Sequence, residues 1–283
     1  MIRLSSFNDL NGIIAVWNEA FGDPEKDIKF FLDKYFNPEN TVVCEMNGDI
    51  ASVLFLIDGD MHIDGEDYSS YYLYAACTLK KYRGRGIMSE MLDFVKHTAS
   101  SRKKSFIALK PAESSLFDYY SKFGYKSVFS KKIITFDKTD YSEDSCLTFN
   151  RNMYSYSGLR DGAYRNLNYF KWNNDSIEFA IEHHVYYGGE IIRNCNGYML
   201  YNMNNNNLYV KETTFSTENL SKIISDTVRN CFINKIIVEL PVDYDLNSEK
   251  SEIIKSGMIL PLSEIADKNT EKICNAYLAL TLD

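Results

Sequence analysis

Along the chain the spacing of apolar residues switches repeatedly between strand-like runs and a helical repeat of about 3.6, the pattern of mixed α and β structure. Leu73–Leu79 is an apolar run of strand length; Ile87, Met88, Met91, Leu92, Val95 and Ala99 then recur on one helical face, and Ser105–Leu109 is strand-like again. Glu113–Phe123 predicts a short helix stopped by Gly124, followed by an aromatic strand, Tyr125–Phe136. Upstream, residues 2–4 form a first strand, Asn8 caps a helix carrying Leu10, Ile13, Ile14, Trp17 and Phe21, and a second helix spans Glu25–Tyr35. Thr41–Met46 and Ile50–Ile57 flank Asn47-Gly48 as a hairpin with a type I′ turn, and Asp58-Gly59-Asp60 predicts the next reversal.

Past Phe136 the composition turns to Asp, Ser, Asn and Tyr with little periodicity through about residue 173, which reads as a connection. Asn174 or Asp175 then caps a helix with Ile177, Ala180, Ile181, His184 and Val185 on one face, stopped by Gly188-Gly189. A hairpin follows (Ile191–Cys195, Asn196-Gly197, Tyr198–Met203), then a strand Leu208–Thr214 and a helix capped by Thr217 with Leu220, Ile223, Ile224, Val228 and Cys231 inward. A strand Lys235–Leu240, a helix near Ser248–Ser256, Gly257, and strands around Met258–Leu262 and Ala276–Leu282 complete the chain. Hairpin, strand, helix, strand, helix, Gly, strand therefore occurs twice, the mark of an internal duplication.

Chemistry enters at Arg83-Gly84-Arg85-Gly86-Ile87-Met88, the turn between a strand and a helix. Such a turn leaves the first N–H groups of the helix unpaired and favoured by the helix dipole for an anion, while Gly84 and Gly86 let a ligand approach the backbone. Arg83 and Arg85 either bind a phosphate or are solvated. At the matching point of the second copy stands Phe215-Ser216-Thr217-Glu218, where glycines are absent and a carboxylate would repel phosphate.

With its strand, glycine turn, helix, strand, helix, Gly, strand order, residues 2–136 resemble the GNAT superfamily of acyl-CoA-dependent N-acyltransferases. The family's pyrophosphate turn reads Arg/Gln-x-x-Gly-x-Gly/Ala; Arg83, Gly86 and Met88 hold its three marked positions, and Met in place of a small residue is similar to the Arg-Gly-Arg-Gly-Leu/Ile-Met form of the enhanced-intracellular-survival branch. Tyr120-Ser121-Lys122-Phe123-Gly124-Tyr125 resembles the segment that closes the acetyl-CoA site. The resemblance implies an α/β (α+β mixed-sheet) GNAT fold with two tandem domains, the second degenerate: a catalytic domain at 1–138, a linker at 139–173 and a GNAT-like domain at 174–283. It implies acetyl-CoA as co-substrate, with Arg83, Gly84, Arg85, Gly86, Ile87, Met88 and Ser89 around its pyrophosphate and Ala76, Cys77 and Thr78 bonding its pantetheine arm. Tyr120 is then the acid that protonates the departing thiolate, and the acceptor is a primary amine of a small molecule or peptide. In the same branch the chain-terminal carboxylate reaches the active site, which brings Asp283 into consideration.

At 283 residues the chain has room for two domains. Its net charge of −8 and lack of a basic block argue against a nucleic-acid partner, and no apolar run reaches membrane-spanning length. Six cysteines without a Cys-x-x-Cys pair suit a reducing cytoplasm better than a disulfide framework, and no metal spacing is present. Self-association is compatible with all of this. Trp17, Phe21, Phe30, Phe31 and Tyr35 read foremost as core and secondarily as an acceptor wall; Glu45 is one conceivable base; Cys77 has no histidine partner and reads as structural; His184 reads as a hydrogen-bonded core residue. Two rival functions are a non-catalytic acyl-CoA-binding or regulatory module, which Tyr120 opposes, and a tandem-GNAT aminoacyl transferase, which the glycine turn opposes.

Overall fold

The computed structural model describes residues 1–137, 154–229, 231–244, 246 and 250–282. In chain order the elements are β1 (Ile2–Leu4), α1 (Leu10–Phe21), α2 (Glu25–Tyr35), β2 (Thr41–Met46), β3 (Asp49–Ile63), β4 (Glu66–Thr78), α3 (Ile87–Ser101), β5 (Phe106–Leu109), α4 (Ser115–Ser121) and β6 (Lys126–Asp137). They continue as α5 (Tyr156–Tyr164), β7 (Tyr169–Trp172), α6 (Asn174–Tyr186), β8 (Glu190–Asn194), β9 (Gly197–Asn204), β10 (Asn207–Thr213), α7 (Thr217–Val228), β11 (Lys235–Leu240), β12 (Ser251–Pro261) and α8 (Glu264–Thr270).

Two compact units result, and neither is one continuous stretch. The first holds Met1–Asp60, Tyr68–Ser127 and Met258–Glu271; the second holds Met61–Asp67, Val128–Gly257 and Lys272–Asp283. In the first unit the strands run β1–β2–β3–β4–β5 and then the end of β12. β1–β2, β2–β3 and β5–β12 are antiparallel, whereas β4 and β5 are parallel, joined by α3. In the second unit the order is β6–β11–β10–β9–β8, again with one parallel pair, β10–β11, joined by α7. A parallel pair with its crossover helix inside an otherwise antiparallel sheet thus occurs twice, the structural counterpart of the repeated element order.

The hairpin at Asn47-Gly48 forms as its residues require, with both at positive φ (53° and 83°). The reversal expected at Asp58-Gly59-Asp60 does not. β3 runs through it because Met61 and Ile63 remain buried and Asp58 is paired to Lys104 at 2.7 Å, and the chain turns instead at Asp64-Gly65, φ 51° and 87°. Asn8 does not cap the first helix: it lies in a 3-10 turn, Phe7–Asp9, opened by a capping box in which Ser6 N–H donates to the Asp9 carboxylate at 2.6 Å, and Asp9 stands at the N-cap of α1.

Three further expectations change. Residues 156–172, read as linker, build α5 and β7, because Ser155 caps α5 and Tyr164, Tyr169 and Phe170 are core residues. Ser251–Ser256, read as helix, is strand: the β-branched pair Ile253-Ile254 leads into Met258–Leu260, which are buried beside β5. Ala276–Leu282 makes only isolated bridges, from Ala276 to Phe129 and from Tyr277 to Tyr169. Among the described residues no helix is long and apolar enough to cross a membrane. Cys44, Cys77, Cys195, Cys231 and Cys274 are free thiols.

Candidate functional site

The glycine turn follows β4 through a single 3-10 turn, Lys80–Tyr82. Gly84 and Gly86 take φ of 73° and 79°, and Gly86 stands at the N-cap of α3 with no side chain capping the helix. The first intrahelical bond is Glu90 N–H to Gly86 O, so the N–H groups of Ile87, Met88 and Ser89 precede the ladder. A β-carbon added at either glycine would meet no atom within 4 Å. The space beside both glycines is open, as close approach of a ligand to the backbone requires.

Arg83 is exposed, yet its Nε donates to the Thr78 carbonyl at 2.9 Å and ties the turn to the end of β4. The Arg85 guanidinium lies 5.4 Å from the Tyr82 ring centre. Tyr82 and Lys81 in turn bond the Asp49 carboxylate at 2.9 and 2.5 Å, anchoring the turn to the β2–β3 hairpin. Sequence reading passed over Tyr82 and Asp49; their only signal is an aromatic ahead of the glycines and an acid after a hairpin tip.

Ala76, Cys77 and Thr78 end β4 where its partner has departed. The parallel ladder pairs Ser70–Leu73 with Phe106–Leu109 and goes no further. Pro111 lacks the N–H to prolong it. Ala75 adopts φ 49°, a strained value for a residue with a side chain, at the point where β4 leaves the ladder. On the β3 side the strand stays fixed: Ser52 Oγ donates to Cys77 O at 2.6 Å and lies 2.9 Å from Thr78 Oγ1, and Leu79 N–H donates to Ala51 O at 2.9 Å. The result is one held edge and one open edge, a slot suited to an amide-bearing chain.

Tyr120 sits on α4 with only 9% of its surface exposed. Its ring packs between Tyr119 (5.3 Å) and Tyr125 (5.7 Å). Burial, reinforced by Tyr119, pushes its hydroxyl up to about 12, so it is a proton-bearing donor across the neutral range. Among the described residues the hydroxyl has no hydrogen-bond partner.

The other candidates divide clearly. Glu45 is engaged by Arg3 at 2.8 Å, in a cluster where Arg3 also holds Asp9. Cys77 is buried and its thiol is pushed up to about 12 by that burial, which makes it inert. Trp17 and Phe31 are core, 5.0 Å apart; Phe30 and Tyr35 are half-buried and Phe21 is 49% exposed. His184 Nε2 lies 3.1 Å from both the Glu190 and Tyr201 carbonyls, a satisfied structural histidine. Among the described residues no group of three or more His, Cys, Asp or Glu could hold a metal. Asp283 lies outside the described residues.

The matching turn of the second unit is closed. Phe215 is fully buried and so near Gly197 that a β-carbon there would come within 2.8 Å of its ring. Ser216 caps α7 with its side chain, accepting from Asn219 N–H at 3.4 Å. Glu212, on β10 where its pairing with β9 shifts register, forms an ion pair with Arg160 at 2.9 Å, both wholly buried.

Residues 1–128 match the family described as Acetyltransferase (GNAT) domain. A search of curated proteins finds no match to the sequence. Solved structures extend the likeness over nearly the whole chain. A conserved protein of unknown function from Enterococcus faecalis, described as a probable N-acyltransferase, aligns over 93% of this chain and 72% of its own with TM-score 0.77 at 12% identity. A GCN5-related N-acetyltransferase from Anabaena variabilis aligns over 94% and 74%, TM-score 0.76, at 13% identity. Eis1 from Mycobacterium abscessus aligns over 93% and 74%, TM-score 0.71, at 10% identity. The fold is that of a tandem GNAT protein.

Proposed function

We propose that this protein is an N-acetyltransferase that moves the acetyl group of acetyl-CoA to a primary amine by direct attack, with both substrates bound in the first unit. The observation that carries the reading is the uncapped N-terminus of α3 at Gly84-Gly86, opening directly beside the unpaired end of β4. On this reading the amides of Gly86–Ser89 receive the pyrophosphate, and the open edge at Ala76–Thr78 bonds the pantetheine amides.

The chemistry then follows. The acceptor binds as an ammonium ion and loses a proton to reach its nucleophilic form. Its nitrogen attacks the acetyl carbon to give a tetrahedral oxyanion, which a backbone N–H near Thr78 stabilises; collapse of that oxyanion breaks the carbon–sulfur bond, and the nitrogen gives up a second proton as the amide forms. The sulfur leaves as thiolate and is met by the Tyr120 hydroxyl. Glu45 is engaged by its ion pair with Arg3, and this reading assigns the amine's protons to a water chain.

Thiol release from acetyl-CoA across a panel of small and peptide amines tests this. The reading expects amine-dependent turnover with at least one acceptor class. Acetyl-CoA binding without turnover on any amine would favour the non-catalytic module instead.

A further inference from the structure

At the end of β4 three hydrogen bonds fix the direction of a fourth group. Leu79 N–H donates to Ala51 O at 2.9 Å, so this donor faces β3. The Cys77 carbonyl faces the same way, because it accepts from the Ser52 hydroxyl of β3 at 2.6 Å. The Thr78 carbonyl accepts from Arg83 Nε at 2.9 Å. Across a planar trans peptide the N–H and C=O are opposed, and in extended backbone a residue's own N–H and C=O share one side. All three contacts therefore agree: the Thr78 N–H points away from β3, to the edge of β4 from which β5 has already parted.

Ser52 is the side chain that enforces this direction. It is wholly buried, its single proton is committed to the Cys77 carbonyl, and the Thr78 hydroxyl, 2.9 Å away, donates to it in turn. A peptide gripped at its carbonyl by a buried hydroxyl resists rotation that would carry its N–H elsewhere. Arg83 completes the arrangement: it takes the Thr78 carbonyl, which would otherwise stand as a bare acceptor on the same edge, and sets a positive charge beside it. The edge thus offers a donor whose neighbouring acceptor is already occupied, as a developing oxyanion requires. We propose that Ser52 is a positioning residue for acyl transfer: by holding the Cys77 carbonyl it aims the Thr78 N–H at the thioester oxygen. The inference rests on the acetyl-CoA reading for its reaction, and on these hydrogen bonds for its geometry.

Three substitutions in the full-length chain test it. Ser52→Ala removes the hydroxyl, while Ser52→Thr and Ser52→Val form a pair of equal shape that differ only in it. Where chemistry limits the rate, turnover should fall by about 10- to 100-fold in Ser52→Ala. Acetyl-CoA affinity by calorimetry should stay within about threefold of wild type, because the donor matters most once charge develops. Ser52→Thr should turn over at least about tenfold faster than Ser52→Val, which separates the hydroxyl from the volume it fills. In the ligand-free wild type, hydrogen exchange should be about tenfold or more faster at the Thr78 amide than at Leu79, and acetyl-CoA should remove that difference. Wild-type turnover in Ser52→Ala, equal turnover in folded Ser52→Thr and Ser52→Val, or a Thr78 amide as protected as Leu79 before ligand is added would overturn the proposal. So would a loss of affinity as large as the loss of turnover, the mark of a merely structural role. Failure of the wild type to bind acetyl-CoA, with the contrast between Thr78 and Leu79 intact, would condemn the co-substrate reading and leave the orientation of the peptide standing.

Discussion

Tyr120→Phe separates packing from chemistry because the structure assigns them to different parts of one side chain. The ring is held by Tyr119 and Tyr125, and phenylalanine preserves those contacts. The hydroxyl has no hydrogen-bond partner among the described residues, so its loss should cost little stability and leave the melting temperature within a few degrees of wild type. Its effect on rate is bounded by acidity. The hydroxyl sits at about 12, while a free thiol titrates near 8.5. Complete proton transfer to a free thiolate is uphill by about 5 kcal/mol on these values, so the hydroxyl acts first as a hydrogen-bond donor to the developing charge. A hydrogen bond to the charged sulfur is still worth about 1.5–3 kcal/mol, which sets the expected loss of turnover at roughly 10- to 150-fold. The assay is steady-state thiol release under conditions where chemistry limits the rate, with acetyl-CoA affinity measured separately. Near-wild-type turnover would refute the argument, and so would a large fall in melting temperature with unchanged turnover.

The remaining expectations concern stability. Asp9 is lowered from 3.8 to about 2, chiefly by its hydrogen bonds from Arg3, so its contribution is complete above the ordinary carboxylate range and disappears as pH falls from about 4 through 2. Urea unfolding against pH should show a loss of about 2 kcal/mol over that window, absent in Asp9→Asn. Arg160→Met leaves Glu212 charged and buried, and should lower the unfolding free energy by about 3–5 kcal/mol, with a smaller loss when Glu212 is also made apolar. A fragment ending at residue 138 lacks Met258–Pro261, which pair with β5 in the first unit's own sheet. It should express poorly or turn over far below the full chain, whereas wild-type turnover from a stable monomeric fragment would contradict this.

How much of the site could be read in the residues follows from the range of the forces that build it. The glycine turn was legible because positive φ and an uncapped helix start are local demands, met by Gly84 and Gly86 within six residues. The hairpin at Asn47-Gly48 was legible for the same reason. Where the deciding partner is far away in sequence, the pattern misled. Asp58 reads as a turn residue until Lys104 pairs with it in a strand, and Ser251–Ser256 reads as helix until β5 supplies the ladder for the residues that follow. The arginines of the turn show the limit from the other side: sequence supplied their charge, but only the fold turned Arg83 back onto Thr78.

The central claim is that one acetyl-CoA site exists per chain and that the amides at Gly86 form its floor, while the turn at Phe215-Ser216 forms none. Isothermal titration of acetyl-CoA into the full-length protein, repeated with a Gly86→Glu variant whose fold is checked by circular dichroism, tests it directly. The account predicts a stoichiometry of one for the wild type and no measurable binding for the variant, because a carboxylate at φ 79° would stand where the pyrophosphate must sit. Undiminished affinity in the folded variant, or two sites in the wild type, would contradict it.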